Sequence, residues 1–233
     1  MSDDPNFDAD QEGSGEYWLS VADIMSGLMI VFLFIAVSYM SFVTKQQSKV
    51  RQVAIAWEAG RGELYRDLEK EFAGDLSTWN AEIDSVTLSV RFNEPDVLFE
   101  AGSSVVRTRF EEILRNFFPR YTAIVKRHGE AIEEVRIEGH TSSEGPGPNP
   151  YYYNMALSQD RTRAVLVFCL ERSGLAEDDR RWIRNLLTAN GLSSSRVVST
   201  TSGTEDRDRS RRVEFRVKTT AELQIAQILE LSR

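Results

Sequence analysis

The sequence is poor in sulfur and imidazole ligands, with one cysteine, Cys169, and two histidines, His128 and His140. A single cysteine excludes an intramolecular disulfide framework, and so few ligands predict no metal site. Bases are outnumbered as well, because 28 lysines and arginines stand against 36 acids and give a formal net charge of −8. Since nucleic acids are bound by basic surfaces, we expect no nucleic-acid partner.

The sequence also lacks the motifs of common catalysts. It contains no P-loop, no dinucleotide fingerprint and no recognisable nucleophile–base pair, so we expect neither an enzyme nor a cofactor. His140 is interpreted as a structural loop residue. Cys169 is interpreted as a core residue, with a bridge between two copies as the alternative.

Charge is absent from residues 24–43, which read IMSGLMIVFLFIAVSYMSFV. Twenty helical residues span about 30 Å, the thickness of a bilayer's hydrocarbon core. Residues 1–16 carry six acids and no base, so the basic start of a cleaved signal peptide is missing. We predict a retained transmembrane helix over 17–44, preceded by a disordered tail over 1–16.

Asp23 stands at the edge of the uncharged run. An ionised aspartate at a membrane helix centre costs about 2.5–3.5 kcal/mol, so such residues are rare and usually functional. A proton crossing the membrane gains about 2.3 kcal/mol per 100 mV, which is comparable, so Asp23 is a candidate ion carrier. The alternative is an N-cap, in which Asp23 begins the helix beside Ser26. Since one helix cannot line a pore, an ion-carrying Asp23 requires a partner with several membrane helices.

Residues 45–83 are predicted to form a helical linker or plug region. Apolar residues recur there at helical spacing, namely Val50, Val53, Trp57, Leu64, Leu68, Phe72, Leu76 and Trp79. Such a stripe either pairs two copies as a short coiled coil or packs on the chain's own folded domain.

A folded domain is predicted over 84–218, followed by a tail over 219–233. Hydrophobic periodicity predicts strands over 86–92, 132–138, 196–201 and 212–218, and helices over 105–127, 154–172 and 177–190. Pro119 is expected to kink or end the first of these helices. The fold class is α+β: one N-terminal transmembrane helix plus a mixed α/β sandwich with helices on one face of the sheet.

Three motifs of this domain resemble the OmpA-like peptidoglycan-binding domain. They are Gly139-His140-Thr141, then a Gly/Pro loop and Asn154-x-x-Leu157-Ser158-x-x-Arg161, flanked by Val97-Leu98-Phe99-x-x-Gly102-Ser103 and by Arg211-Arg212-Val213-Glu214-Phe215. The resemblance covers residues 84–218. It implies binding of peptidoglycan through Ser142, Tyr153, Asn154, Leu157, Arg161 and Arg211.

Arg161 offers a planar fork that can hold a carboxylate of the peptidoglycan stem by two hydrogen bonds. The alternative for Arg161 is a surface ion pair with Asp160 or Glu138. In the family an aspartate follows the Gly-x-Thr step and pairs with the stem's amino group, but Ser142 stands at that position. Either Glu144 substitutes for the missing carboxylate, or the contact with the amine is lost.

The N-terminal part resembles a second family. Trp18, Ala22-Asp23-x-Met25-Ser26-x-Leu28-Met29 and Phe32 are similar to the membrane helix of flagellar motor protein B (MotB), whose single aspartate carries the ion. Together the resemblances imply a peptidoglycan-anchored stator subunit of a proton-driven inner-membrane motor. They also imply a homodimer with a multi-span MotA-like A subunit, five per two copies.

The acidic N-tail and an extra helix near 175–192 resemble the B subunit of the Zorya anti-phage defence system more than the flagellar protein. A flagellar stator subunit and a passive membrane-to-wall tether remain the alternatives, while the lack of an OmpA-like domain in Tol and Exb helpers counts against that class. Three bases after the span, Lys45, Lys49 and Arg51, favour a cytoplasmic C-terminal side. The wall-binding resemblance outweighs this bias and predicts a cytoplasmic N-terminus and a periplasmic domain.

Overall fold

The structure is a computed structural model that describes residues 9–93, 98–100 and 102–220. The chain divides into two compact units between residues 52 and 53. The predictions made for residues 1–8 and 221–233 lie outside the described residues.

A single 64-residue helix, α1, spans Ala9–Phe72. Its apolar segment, Trp18–Ser48, is 31 residues long, has a mean hydropathy of 2.3 and buries none of its side chains against the rest of the chain. A helix that is apolar all round and unburied suits lipid rather than a protein core, as predicted. The helix already includes residues 9–16, where the sequence predicts a disordered tail.

The C-terminal unit is built on a five-stranded sheet. Its strands are β1 (Ala81–Asp84), β2 (Ser89–Asn93), β3 (Ile132–His140), β4 (Leu187–Gly191) and β7 (Arg212–Thr219). They lie in the order β1-β2-β7-β3-β4, and only the β3–β4 pair is parallel. Two short strands, β5 (Val198–Ser199) and β6 (Glu205–Asp206), form a separate antiparallel ribbon.

The helices of this unit are α2 (Thr108–Arg127), α3 (Pro150–Glu171), α4 (Glu177–Arg184) and the four-residue α5 (Arg207–Ser210), with a 3₁₀ turn at Gly129–Ala131. Helix α2 continues through Pro119, so of the two outcomes expected there, a kink or an end, the end is contradicted. The long helices cover the apolar face of the sheet. On that face the Phe117 ring of α2 lies 5.0 Å from the rings of Phe92 and Phe215.

The stripe at the end of α1 packs on the chain's own domain. Leu64, Leu68 and Phe72 of α1, with Trp79 after it, are buried in the same core as the sheet. Arg120 of α2 fixes this end of the helix, because its guanidinium donates to the main-chain oxygen and carboxylate of Glu71, both at 2.7 Å. For Leu64–Trp79 the structure therefore favours packing within the chain. The side chains of Val50, Val53 and Trp57 lie outside the described part.

Four predicted elements differ from the structure. The helical linker expected over 45–83 ends at Phe72, and Ala81–Asp84 form strand β1 of the sheet. The strand expected over 86–92 begins only at Ser89, because the Asp84 carboxylate accepts from the main-chain N–H of Val86 and Thr87, both at 2.8 Å, and closes a turn. The helix expected over 177–190 ends at Arg184 and is followed by strand β4. The strand expected over 196–201 shrinks to the two-residue β5, which lies outside the main sheet.

Candidate functional site

One pocket of about 270 Å³ brings together all six residues predicted to bind peptidoglycan. Its lining consists of Gly102, Thr141, Ser142, Glu144, Gly145, Tyr153, Asn154, Leu157, Arg161 and Arg211. Four of these residues come from α3, at positions 153, 154, 157 and 161. Spacings of three and four residues place side chains on one helix face, so the first turns of α3 form one wall.

The pocket's loop is held in place by Asn154. Its side-chain amide donates to the main-chain oxygens of Ser142 at 3.1 Å and Glu144 at 2.8 Å. Both N–H groups of this buried amide thus support the loop over 141–149. The start of the helix is fixed separately, because the Asn149 side chain caps it by accepting from the N–H of Tyr151 at 3.3 Å, with Pro150 in the first turn.

Arg161 is buried on the inner wall of the pocket. Its Nε donates to the main-chain oxygen of Ser103 at 2.9 Å, and its guanidinium lies 4.8 Å from the centre of the Phe99 ring. Asp160 and Glu138, the expected surface partners, pair instead with Arg163 at 3.1 Å and Arg196 at 3.2 Å. Arg161 therefore joins α3 to the segment before α2 as well as lining the pocket.

The segment over 205–211, which contains β6 and α5, closes the other side. The Glu205 carboxylate accepts from the N–H of Ser143 at 3.0 Å and also from its hydroxyl. Glu144, the candidate substitute for the absent aspartate, forms an ion pair with Arg207 at 2.8 Å. Arg211 follows on the same loop and lines the pocket, with the exposed Asp208 as its ion-pair partner.

Gly102 is a pocket residue that site prediction missed, although the quoted Leu-Phe-x-x-Gly-Ser segment contains it. Its φ of +64° is a backbone conformation that favours glycine, and an added Cβ would lie 3.3 Å from the Tyr153 hydroxyl. Thr141 and Gly145 also line the pocket without having been selected. They flank Ser142 and Glu144 in the same loop, so the loop itself is the sequence signal.

Glu138, His140 and Glu214 form a buried polar cluster on the other face of the sheet, with ligand atoms within 4.8 Å of one another. Arginines already occupy their carboxylates, since Arg212 Nε lies 2.6 Å from Glu214 and Arg196 pairs with Glu138. These cations oppose binding of a metal ion, so we interpret the cluster as an ion-pair network.

Burial sets the ionisation of this network. It lowers the pKa of His140 and so favours the neutral imidazole. For Glu138 burial alone would raise the pKa of the carboxyl, but His140 at 3.7 Å and the charges of Arg216 and Arg196 outweigh it and lower that pKa. Glu138 is therefore a buried carboxylate in its charged form. His140 has a structural place beside it, but at the end of strand β3 rather than in the expected loop.

Asp23 lies inside the apolar segment of α1, which begins at Trp18. Because the helix begins at Ala9, Asp23 is an interior residue, and the structure contradicts its alternative as an N-cap. The hydroxyl of Ser26 donates to the main-chain oxygen of Ala22 at 2.7 Å and so bonds within its own helix. Asp23 thus presents a carboxyl group from a helix segment that carries no other charge before Lys45.

Cys169 is buried in the core beneath α3, where burial raises the pKa of its thiol well above the ordinary value. A buried thiol is out of reach of a second copy of the folded domain. The core interpretation of this residue is confirmed, and the bridging alternative is contradicted.

Comparison with known proteins gives matches over nearly the whole chain. The OmpA family model matches residues 98–214. A Zorya protein ZorB from Escherichia coli strain ATCC 8739 is 46% identical over 224 residues, covering 94% of this chain and 95% of the relative. The chain belongs to the OmpA family and to the ZorB proteins. A second Zorya protein ZorB, from Escherichia coli O139:H28, is 26% identical and covers 89% of this chain and 82% of the relative.

The fold has a solved counterpart. A MotB-like protein from Desulfovibrio vulgaris superimposes with a TM-score of 0.51 at 23% identity, covering 72% of this chain and 94% of that one. At this identity the likeness concerns the fold. The family assignment confirms the resemblance found in the sequence, including the choice of ZorB over the flagellar subunit.

Proposed function

We propose that the chain is the peptidoglycan-anchored stator subunit of a proton-driven inner-membrane motor of the Zorya anti-phage system. The observation that carries this proposal is the 46% identity to a ZorB protein over nearly the full length of both chains. That match includes both the apolar helix and the OmpA domain. A passive tether would need the wall domain and an anchor, but it would not need a carboxyl group within the span.

The OmpA domain supplies the anchor. Ser142, Tyr153, Asn154, Leu157, Arg161 and Arg211 surround one pocket large enough for part of a peptide stem. Arginine is suited to carboxylates because its planar fork donates two parallel hydrogen bonds. We propose that Arg161 and Arg211 hold stem carboxylates, while Asn154 holds the loop that bounds the site.

Asp23 is the proposed ion carrier. A carboxyl group within the span can take up a proton from one side of the membrane and release it on the other side, where it reaches water. The nearest polar side chains of α1 are those of Ser20 and Ser26, and Ser26 bonds within its own helix, so we propose protons rather than sodium. A single helix cannot line an ion path, so the polar groups that line the path past Asp23 have to come from another protein. We propose that this protein is a multi-span MotA-like A subunit, with five copies for each pair of these chains.

The proposed membrane topology follows from the location of peptidoglycan. Peptidoglycan lies outside the inner membrane, so a domain that binds it is periplasmic and the acidic N-terminus is cytoplasmic. The bases Lys45, Lys49 and Arg51 oppose this orientation under the positive-inside rule, but three bases make a weak bias. Two copies would place two wall domains beside one motor.

The test compares Asp23→Asn with wild type in a host carrying the whole operon, scoring phage plaquing and cell motility. Asp10→Asn is the matched control, because it removes the same charge outside the apolar segment. We expect cells with Asp23→Asn to be plaqued as efficiently as cells that carry an empty vector, with motility unchanged. Cells with Asp10→Asn should stay protected from phage as the wild type is. Immunoblotting of membranes checks insertion. Unchanged protection by an inserted Asp23→Asn protein would leave the passive tether, and a motility defect would indicate a flagellar stator.

A further inference from the structure

The first turn of α3 presents a run of exposed aromatic rings. Tyr151, Tyr152 and Tyr153 follow one another there and are 40%, 72% and 42% exposed. The ring centroids of Tyr151 and Tyr152 lie 5.9 Å apart, with the two ring planes at 77°. Single exposed apolar residues are common on protein surfaces, but a contiguous exposed patch marks an interaction site. We call residues 151–153 the tyrosine platform.

The backbone under the platform is held from both sides. The main-chain oxygen of Tyr151 accepts from the hydroxyl of the buried Ser193 at 2.9 Å. Its N–H donates to the capping side chain of Asn149 at 3.3 Å, and Pro150 fixes the backbone dihedral before it. A surface that is ordered before it meets a ligand loses little entropy on binding.

The platform is continuous with the pocket. Tyr153 lines the pocket, with its hydroxyl beside Gly102, another lining residue. Tyr152 lies about 1.5 Å further along the axis of α3, toward the start of the helix. A stem of four extended residues is at most about 14 Å long. A stem held in the pocket therefore keeps the sugar to which it is joined within reach of the platform.

The chemistry of the platform suits a neutral sugar. The C–H bonds on one face of a sugar ring pack against the negative face of an aromatic ring, and a phenol hydroxyl can both donate to and accept from sugar hydroxyl and acetamido groups. Residues 145–159 contain no charged side chain. An anionic lipid headgroup would require a base, which this segment does not supply, whereas the N-acetylated sugars of the wall require none.

We propose that the platform is a glycan subsite, in which Tyr152, with Tyr151 at its edge, stacks on an N-acetylated sugar of the strand whose stem occupies the pocket. The proposal rests on the proposed wall-binding function and adds a second ligand group to it. Its consequence is a preference for stems that are still attached to glycan over free stem peptides released from the wall.

The experiment measures binding of the full chain in detergent to two ligands. One is a stem tetrapeptide, and the other is the same tetrapeptide attached to the disaccharide of N-acetylglucosamine and N-acetylmuramic acid. We expect the Kd of the disaccharide ligand to be about tenfold lower, the effect of roughly one aromatic contact at an interface.

Three variants assign that difference. Tyr152→Ala should raise the Kd of the disaccharide ligand to that of the free tetrapeptide and leave the free tetrapeptide within about twofold of wild type. Tyr152→Phe keeps the ring and should retain most of the preference. Val86→Ala is the matched control, because Val86 is 73% exposed and lies in the turn between β1 and β2, and it should change neither affinity.

The outcomes separate the subsite from wall binding itself. Equal wild-type affinities for the two ligands, together with binding to intact wall sacculi, would overturn the subsite and leave wall binding standing. So would a preference that survives Tyr152→Ala, or an equal loss of both ligands in that variant, since the tyrosine would then support the pocket. Loss of phage protection with both affinities unchanged would overturn it too and indicate a protein partner. No binding of the wild type to sacculi or to either ligand would overturn both proposals.

Discussion

Leu68 tests whether the end of the long helix belongs to the wall domain. Its side chain is fully buried in a core that contains Phe72, Phe117 and Phe215. Leu68→Ala removes buried methyl groups and leaves a cavity, which costs about 3 kcal/mol in a site that cannot collapse. For a domain whose urea m-value is about 2–3 kcal/mol/M, this cost lowers the midpoint by about 1 M or more.

The assay is urea unfolding of the full chain in mild detergent, followed by near-ultraviolet circular dichroism at two protein concentrations tenfold apart. Ile55→Ala is the matched control, because Ile55 lies on the same helix with its side chain 60% exposed. We expect a loss for Leu68→Ala that does not depend on concentration. A loss below about 1 kcal/mol would refute the packing argument. A loss that changed with concentration would indicate the coiled-coil alternative.

Three further predictions concern stability in the same assay. Arg120→Met should cost about 2 kcal/mol by removing charge-assisted bonds to Glu71, against less than about 0.5 kcal/mol for the exposed Arg163→Met. Gly102→Ala should cost about 1–2 kcal/mol, because its φ is +64° and the new Cβ would meet Tyr153; a neutral result would refute the strain. Burial lowers the pKa of His140, so the unfolded state binds its proton first, and stability falls as pH drops below about 6.5. The free energy of unfolding, measured at pH 7.5 and 5.5, should fall less in His140→Gln than in wild type. An equal fall in the two proteins would contradict this reasoning.

Sequence periodicity predicted the long elements and missed the short ones. Helix α2 and strand β3 have strong apolar repeats, and both were located within three residues of their observed starts. Val86 and Leu88 continue the alternation of β2 in sequence, yet Leu88 has a φ of 50° and belongs to a turn. Periodicity records which side chains are apolar, but it does not record that the Asp84 carboxylate closes that turn.

Strand β4 was missed for a different reason. Its sequence, LTANG, has little apolar alternation, and only Leu187 is buried. The strand forms because β3 offers a parallel edge and α3 covers it, and Gly191 allows the close approach of Gln159. Such tertiary context is outside the reach of a local pattern.

The candidate site was located by motif rather than by pattern, and the structure brings the chosen residues to one pocket. What the motif could not reveal is that some of them have two tasks. Asn154 bonds the loop with both amide N–H groups, and Arg161 joins α3 to Ser103. These contacts are set by the fold and are invisible in the spacing of the residues.

The double role of Arg161 decides which experiment is informative. Replacing Arg161 by alanine would remove a charge from the pocket. It would also remove the hydrogen bond to Ser103 and the contact with the Phe99 ring, so a loss of binding could follow from displacement of that segment. Changing the charge of the ligand leaves every one of those contacts in place. A loss of binding when the stem's carboxylates are amidated therefore reports on recognition itself.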